Sequence, residues 1–319
     1  MLEITHDIRI ANVRLRSFSA IEINKSIEQL SGTCVIELPA MLQNLPYNIE
    51  GKVKRGDIAT VSLGYDGKNR QEFTGYLRAI SPNTPMRLEF EDSMFLLRKQ
   101  VKNKSYTNVD ISTLIKDIVN QIGGFTFNIS VQGIRFEKYV IRDQTAYQVL
   151  EKLKQDTNIN IFCVGTELNA HLLYTQKTGE VNFYTHNNMR KDTNLQYVRA
   201  DQVNISITAI GKTKNRNKIE KTVGTLGGDN KVMRFPDISD PATLQKLAEE
   251  SLKRYSYDGY RGEIKTWGHS TVAVGNTAKI VNELYPQQNG SYYVIAVKVE
   301  VKGGQVGFCK TASLGLKVS

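Results

Sequence analysis

The sequence predicts a mainly β protein with an α+β insert, in which two tube-like β-barrel domains flank a small α+β domain. Three observations predict it. Short runs in which apolar residues alternate with polar ones crowd both ends of the chain. Apolar residues at helical spacing are concentrated in the middle. A short pattern near residue 56 recurs near residue 275. The chain has 319 residues, too many for one ordinary core, so two or three domains are expected. Their predicted bounds are 1–92 for the first barrel, 93–180 for the α+β domain, and 181–319 for the second barrel with a helix near 240–257.

The first ninety residues read as strands. Cys34, Ile36 and Leu38 alternate with Val35 and Glu37; Val61 and Leu63 alternate with Thr60 and Ser62; Met86, Leu88 and Phe90 alternate with Arg87 and Glu89. Tyr65-Asp66-Gly67-Lys68 has the Asp-Gly chemistry of a tight hairpin. Pro82 and Pro85 close the next turn. The segment from Met41 to Arg55 is long for a hairpin loop, and such loops are commonly functional.

In the middle, Ile111, Leu114, Ile115, Ile118, Val119 and Ile122 fall on one helical face, with Asp110 placed to cap it. Gly123-Gly124 stops this helix. Phe125, Phe127, Ile129 and Val131 alternate as a strand. Asp143 is expected to cap a second helix that carries Ala146, Val149, Leu150 and Leu153. Ile159, Ile161 and Cys163 resume a strand. After residue 181 the strand pattern returns, most clearly at Val203, Ile205, Ile207 and Ala209. Lys212–Asn230 is expected to be a polar, glycine-containing stretch. Asp240 caps a further helix, Pro241 takes its first turn, and Leu244, Leu247, Ala248, Leu252 and Tyr255 line its face. Four β-like segments finish the chain.

Gly56-Asp57-Ile58-Ala59-Thr60-Val61 is echoed by Gly275-Asn276-Thr277-Ala278-Lys279-Ile280. Each is followed by a glycine-containing turn (Gly67; Gly290) and then a tyrosine-bearing strand (Tyr76; Tyr292 and Tyr293). The physical reading is one barrel plan used twice. Three such chains would present six barrel-like units around one axis, a surface fitted to a six-fold ring.

Composition narrows the function. Charged residues make up 23% and apolar ones 40%, as in ordinary globular proteins. Met1–Asp7 lacks a basic segment and an apolar run, which predicts synthesis and folding in a cytoplasm. Cys34, Cys163 and Cys309 are odd in number and far apart, so buried thiols are expected in place of disulfides. The net charge of +10 is scattered. Its densest runs, Arg98–Lys104 and Lys212–Lys218, carry no interleaved aromatics, so they read as loops or protein contacts before a nucleic-acid surface. The four histidines, His6, His171, His186 and His269, form no metal-ligand pair. Gly211-Lys212-Thr213 lacks the earlier glycine of a phosphate-binding loop, because position 206 is serine. No catalytic residue, cofactor or metal is predicted.

Three stretches resemble phage tail hub proteins: the late control protein D group, the hub of Mu-like baseplates, and the hub portion of VgrG. The first is Ile21–Ser26 with Thr33–Pro39. The second is Gly56-Asp57 with Val61–Gly67, Phe73-Thr74-Gly75-Tyr76 and Ile80-Ser81-Pro82. The third is Asp258–Gly262 with Trp267-Gly268, Gly275, Tyr285-Pro286, Tyr292-Tyr293-Val294 and Leu314-Gly315. Thr145–Leu153 fits the middle. The specific signal is the order of these stretches, which span nearly the whole chain. Val274 departs from the proline that many relatives carry before this glycine.

The resemblance implies a structural baseplate hub of a contractile phage tail or related injection system, with no enzymatic activity. It implies a homotrimeric ring that joins a six-fold tail tube to a three-fold central spike, with DNA or effector passing through. VgrG-type relatives continue into a needle, so a separate spike protein is expected here. The expected location is a virion or injection-system baseplate assembled in the bacterial cytoplasm. The alternative is a cell-wall hydrolase or carbohydrate-binding tail protein, which would need a poised carboxylate pair. For reaching a neighbouring chain or the tube, the candidates lie in the long loop: Met41, Leu42, Leu45 and Tyr47, with the basic Lys52, Lys54 and Arg55.

Overall fold

A computed structural model describes residues 3–39, 41–42, 45–46, 49, 51–82, 84–131, 134–157, 159–171, 178–199, 204–212, 218–225, 227–235, 238, 240–253, 256, 258–302 and 307–318. The fold is mainly β with an α+β insert. Its first part holds β1 (Ile4–Ile10), β2 (Val13–Leu15), β3 (Ala20–Ser26), β4 (Thr33–Leu38), β5 (Met41–Leu42), β6 (Leu45–Pro46), β7 (Ile58–Tyr65), β8 (Lys68–Ser81) and β9 (Met86–Glu91). A 3-10 turn at Ser93–Leu97 leads to β10 (Lys104–Asp110), α1 (Ile111–Asn120), β11 (Thr126–Ser130), β12 (Arg135–Ile141), α2 (Ala146–Thr157), β13 (Asn160–Val164) and β14 (Glu167–His171). Then follow β15 (Glu180–Tyr184), β16 (Asn194–Val198), β17 (Ile205–Lys212), β18 (Lys218–Gly224), β19 (Asp229–Arg234) and α3 (Pro241–Lys253). The chain finishes on β20 (Gly259–Trp267), β21 (Thr277–Val281), β22 (Gly290–Lys302) and β23 (Gly307–Lys317). Among the described residues no helix is long and apolar enough to cross a membrane.

The two sheet-rich ends join into one hydrogen-bonded sheet of thirteen strands. Its path runs β16-β20-β23-β22-β3-β4-β9-β8-β7-β1-β2, with β21 on β22 and β15 on β21. The link is β3 on β22, antiparallel, from Ala296 opposite Ser26 to Lys302 opposite Ala20. Alternation drives it: Ile21 and Ile23 on β3, and Val297, Val299 and Val301 on β22, all point into one buried core. That core holds inward residues of both ends, including Ile36, Val61, Phe90, Ile264, Tyr292 and Phe308. Each fully buried aliphatic or aromatic side chain of this kind contributes about 1.5–3 kcal/mol.

Turn chemistry follows the residues. Asp66 (φ 50°) and Gly67 (φ 81°) form the two-residue loop between β7 and β8, both in the left-handed region such a hairpin needs. Asp110 caps α1 by accepting from the Ser112 N–H at 2.9 Å. Asp143 does not cap α2, contrary to expectation. Thr145 and Gln148 do, as a reciprocal box: Thr145 N–H donates to Gln148 Oε1 (2.9 Å) and Gln148 N–H to Thr145 Oγ1 (3.2 Å). Asp143 instead sits at φ 50° and accepts from the Asn103 amide. Asp240 caps α3 through Thr243 N–H at 2.9 Å. Tyr255 and Val203 lie outside the described residues.

A second core gathers α1, α2 and the strands around them, with Ile115, Phe136, Leu150 and Leu168 at its centre. Ile207, Ala209, Leu244 and Leu247 join this core and not the first. Residues after 181 therefore contribute to both cores. The physical reason is that α3 covers the β17–β18 hairpin, and their common apolar face turns toward the α+β insert. The stretch Lys212–Asn230 is also not all loop. It contains β18, whose Ile219 and Val223 pack on this core while Lys218, Glu220 and Thr222 face outward.

Candidate functional site

Several charged side chains are used in contacts within the molecule. Glu91 is buried and takes two hydrogen bonds from the Arg98 guanidinium, at 2.7 and 2.8 Å. That guanidinium lies 3.9 Å from the Tyr147 ring centre. Lys104 pairs with Asp117 at 2.8 Å. The first basic run is thus partly spent on contacts within the protein. Of the second, 213–217 lie outside the described residues, and Lys218 pairs with Glu220. Among the described residues no three His, Cys, Asp or Glu side chains converge in a metal-binding group. Cys34 and Cys309 are buried and Cys163 is half-buried; burial pushes all three thiols up from their ordinary range.

The long loop begins as a small hairpin. Met41 and Leu42 of β5 pair with Pro46 and Leu45 of β6 in a sheet of their own, apart from the thirteen strands. Tyr47 lies outside the described residues. The loop then returns to the body through two residues that sequence reasoning did not single out, Ile49 and Val53, which are 2% and 5% exposed in the first core. Their spacing of four, with polar Gly51-Lys52 between them, was the available signal. Lys52, Lys54 and Arg55 are exposed beside this anchor. Arg55 stands 5.7 Å from the Phe95 ring centre, and Phe95 stacks on Tyr76 at 5.6 Å.

The echo near residues 56 and 275 is a repeated turn. Gly56 has φ 94° and Gly275 φ 86°, the state required at the third position of a type II turn. Asp57 N–H donates to Lys54 O (3.1 Å), and Asn276 N–H to Ala273 O (3.2 Å). The acidic or amide side chain then closes the turn: Lys54 N–H donates to Asp57 Oδ2 (2.9 Å), and Ala273 N–H to Asn276 Oδ1 (2.8 Å). Both glycines donate to the next long strand, Gly56 to Leu77 O (2.8 Å) and Gly275 to Val294 O (2.9 Å). Leu77 N–H and Val294 N–H return the bond, to Asp57 O and Asn276 O. Val274 takes the second position without proline, and the turn forms around it.

A cavity of about 260 Å³ lies where β3, β8, β13 and the 273–274 turn meet, with Lys25, Glu72, Asp92 and Cys163 on its wall. Burial pushes the Asp92 carboxyl up to about 7, against the pull of Gly32 and Met94 N–H donors at 2.6 and 3.0 Å. Tyr65 OH donates to Phe308 O at 3.1 Å and ties the β7–β8 hairpin to β23.

No family model and no curated protein sequence matches the chain. Solved structures do. A 43 kDa tail protein of prophage MuSo2 from Shewanella oneidensis has a TM-score of 0.69 at 12% identity, with 98% of each chain covered. A tail protein from Neisseria meningitidis has a TM-score of 0.67 at 11% identity, covering 98% of this chain and 96% of that one. An Escherichia coli component of the type VI secretion system, described as similar in structure to T4 tail proteins gp27 and gp5, has a TM-score of 0.58 at 10% identity. It is covered over 77% of its length, against 98% of this chain. The fold is one that these tail and secretion-system proteins share. This chain has that fold over nearly its whole length.

Proposed function

We propose that the protein is a structural hub of a contractile tail or injection-system baseplate. The observation that carries this reading is the repeated turn with its long strand, found once in each sheet-rich end. A chain that holds the same strand unit twice presents two similar faces, and three chains present six. Such a ring matches a six-fold tail tube on one side and a three-fold spike on the other. Its work is mechanical and not catalytic: it ends the tube, seats the spike, and leaves a path for DNA or effector. The division into units at 1–92, 93–180 and 181–319 belongs to the same proposal, with the two outer units facing the tube. The fold shared with tail proteins and with a type VI secretion component supports it.

The test is tube capping. Purified protein is mixed with tail tubes of the same system and imaged by electron microscopy with a gold-labelled tag. The reading expects gold at one end of most tubes, with tube length unchanged. Label along the tube wall, or none at all, would overturn it. Coating of bare DNA with no preference for tubes would favour a nucleic-acid-binding role instead.

A further inference from the structure

The inward face of β3 ends on a lysine. Side chains alternate along a strand, so Ile21, Ile23 and Lys25 share one side, and the two isoleucines are fully buried. Lys25 lies opposite Val297 of β22, a member of the first core. Other charges that point inward have partners. Lys310 has Glu72 and Ser270 O, and Glu91 has Arg98. The Lys25 ammonium makes no hydrogen bond and no ion pair among the described residues.

Lys25 lines the cavity of about 260 Å³ instead. The inner wall of this cavity is apolar, with Phe73 and Phe162 both buried. Its rim is formed by Gln71, Val164 and Gly165, which are exposed, so the cavity is reached from solvent. An apolar cavity of about 150 Å³ holds benzene, and this one is larger.

The charges around the cavity leave one cation over. Glu72 on β8 is held by Lys310 of β23, and Glu91 on β9 by Arg98. Asp92 directs both carboxyl oxygens at the Gly32 and Met94 N–H groups, and burial pushes it up to about 7. Cys34 on β4 and Cys163 on β13 stay thiols, because burial pushes both up. Below pH 7 most Asp92 is protonated, and Lys25 stands unopposed. Burial pulls its amine down from the ordinary range, against the pull of Glu72 and Asp92. A charge out of water without a partner is costly, and a bound anion removes that cost.

We propose that this cavity is a binding site for a small monocarboxylate with a compact apolar body. The carboxylate pairs with Lys25, and the body lies against the wall formed by Phe73 and Phe162. A single negative charge fits because Lys25 is the one cation that lines the cavity among the described residues. Ionised Asp92 competes with the ligand for Lys25. With a carboxyl that titrates near 7, affinity falls about tenfold between pH 6 and pH 8. The site is independent of the hub reading.

Benzoate and butyrate are titrated into the full chain by calorimetry at pH 6. At least one should bind once per chain, with a Kd on the order of 0.1 mM. Benzamide has the shape of benzoate without its charge and should bind at least about tenfold more weakly, as should either carboxylate to Lys25→Met. Asp92→Asn should bind as the wild type does at pH 6 and lose the fall at pH 8. Circular dichroism checks each fold, and where Lys25→Met misfolds, benzamide and Asp92→Asn decide. No binding of either carboxylate up to about 10 mM overturns the site. Equal binding of benzamide, or undiminished binding by folded Lys25→Met, does so too. A fall at pH 8 that persists in Asp92→Asn overturns the competition for Lys25.

Discussion

Lys310 on β23 places its ammonium 2.7 Å from Glu72 on β8, and both side chains are almost fully out of water. The pair spans the two sheet-rich ends. Ser270 O takes a second hydrogen bond from the ammonium at 3.0 Å. Burial pulls the Lys310 amine down from its usual range, and Glu72 pulls it back up. Removing one partner of such a pair leaves the other charge buried alone. Lys310→Met should cost roughly 3–5 kcal/mol in urea unfolding, and the double change Lys310→Met with Glu72→Met should recover most of it. A double change as costly as the single one would show that the pair does not act as a unit.

The repeated turn gives a paired prediction. A Cβ at Gly56 meets nothing nearer than Phe95 at 3.9 Å, so its cost is one of backbone conformation alone. Gly56→Ala and Gly275→Ala should each destabilise by about 1–2 kcal/mol, because φ is near 90° at both. Asparagine, which tolerates the left-handed region better, should cost less at both sites. Thermal unfolding of the four variants checks this. Costs that differ widely between the two sites would mean that the turns are alike in geometry but not in load.

Much of this is legible in the sequence alone. Alternation at Cys34–Leu38 and Val61–Leu63 marks strands because one face is buried. The Gly56 and Gly275 echo marks a turn because only glycine sits easily at that φ. The capping of α2 misled, because Asp143 and Thr145 are both good capping residues and only the Gln148 partner decides between them. The link of β3 to β22 was out of reach. It joins residues some 270 apart, and nothing local in Ile21–Ser26 names its partner. The sharing of α3 with the middle core is the same kind of fact: periodicity shows an apolar face but not what covers it.

Asp92 makes stability depend on pH in a defined direction. Its carboxyl stands at about 7 in the fold, against about 3.9 for a free aspartate. Between these values the folded state holds a proton that the unfolded state has lost. Its contribution is therefore full below pH about 4 and falls away as pH rises to about 7. Asp92→Asn cannot ionise. The difference in urea midpoint between wild type and Asp92→Asn should shift in favour of the variant across pH 4–7 and level off above. A difference that is flat from pH 4 to 8 would contradict the account.

The small hairpin of β5 and β6 is separable from its anchor. Replacing residues 41–46 by two glycines should leave the melting temperature within a few degrees and weaken tube capping. Ile49→Ala should instead cost about 2–5 kcal/mol, because Ile49 fills the first core. A deletion reaching to residue 52 mixes the two effects. Unchanged capping by the 41–46 variant would remove the hairpin from the assembly surface.

The central claim is that two similar strand units in one chain make three chains serve as six. Native mass spectrometry of the protein alone, and then with tube protein added, reads the copy number directly. The account predicts three chains per particle, rising in occupancy with concentration, and three hub chains against a whole multiple of six tube subunits. Six hub chains per tube end, or monomers throughout, would contradict it.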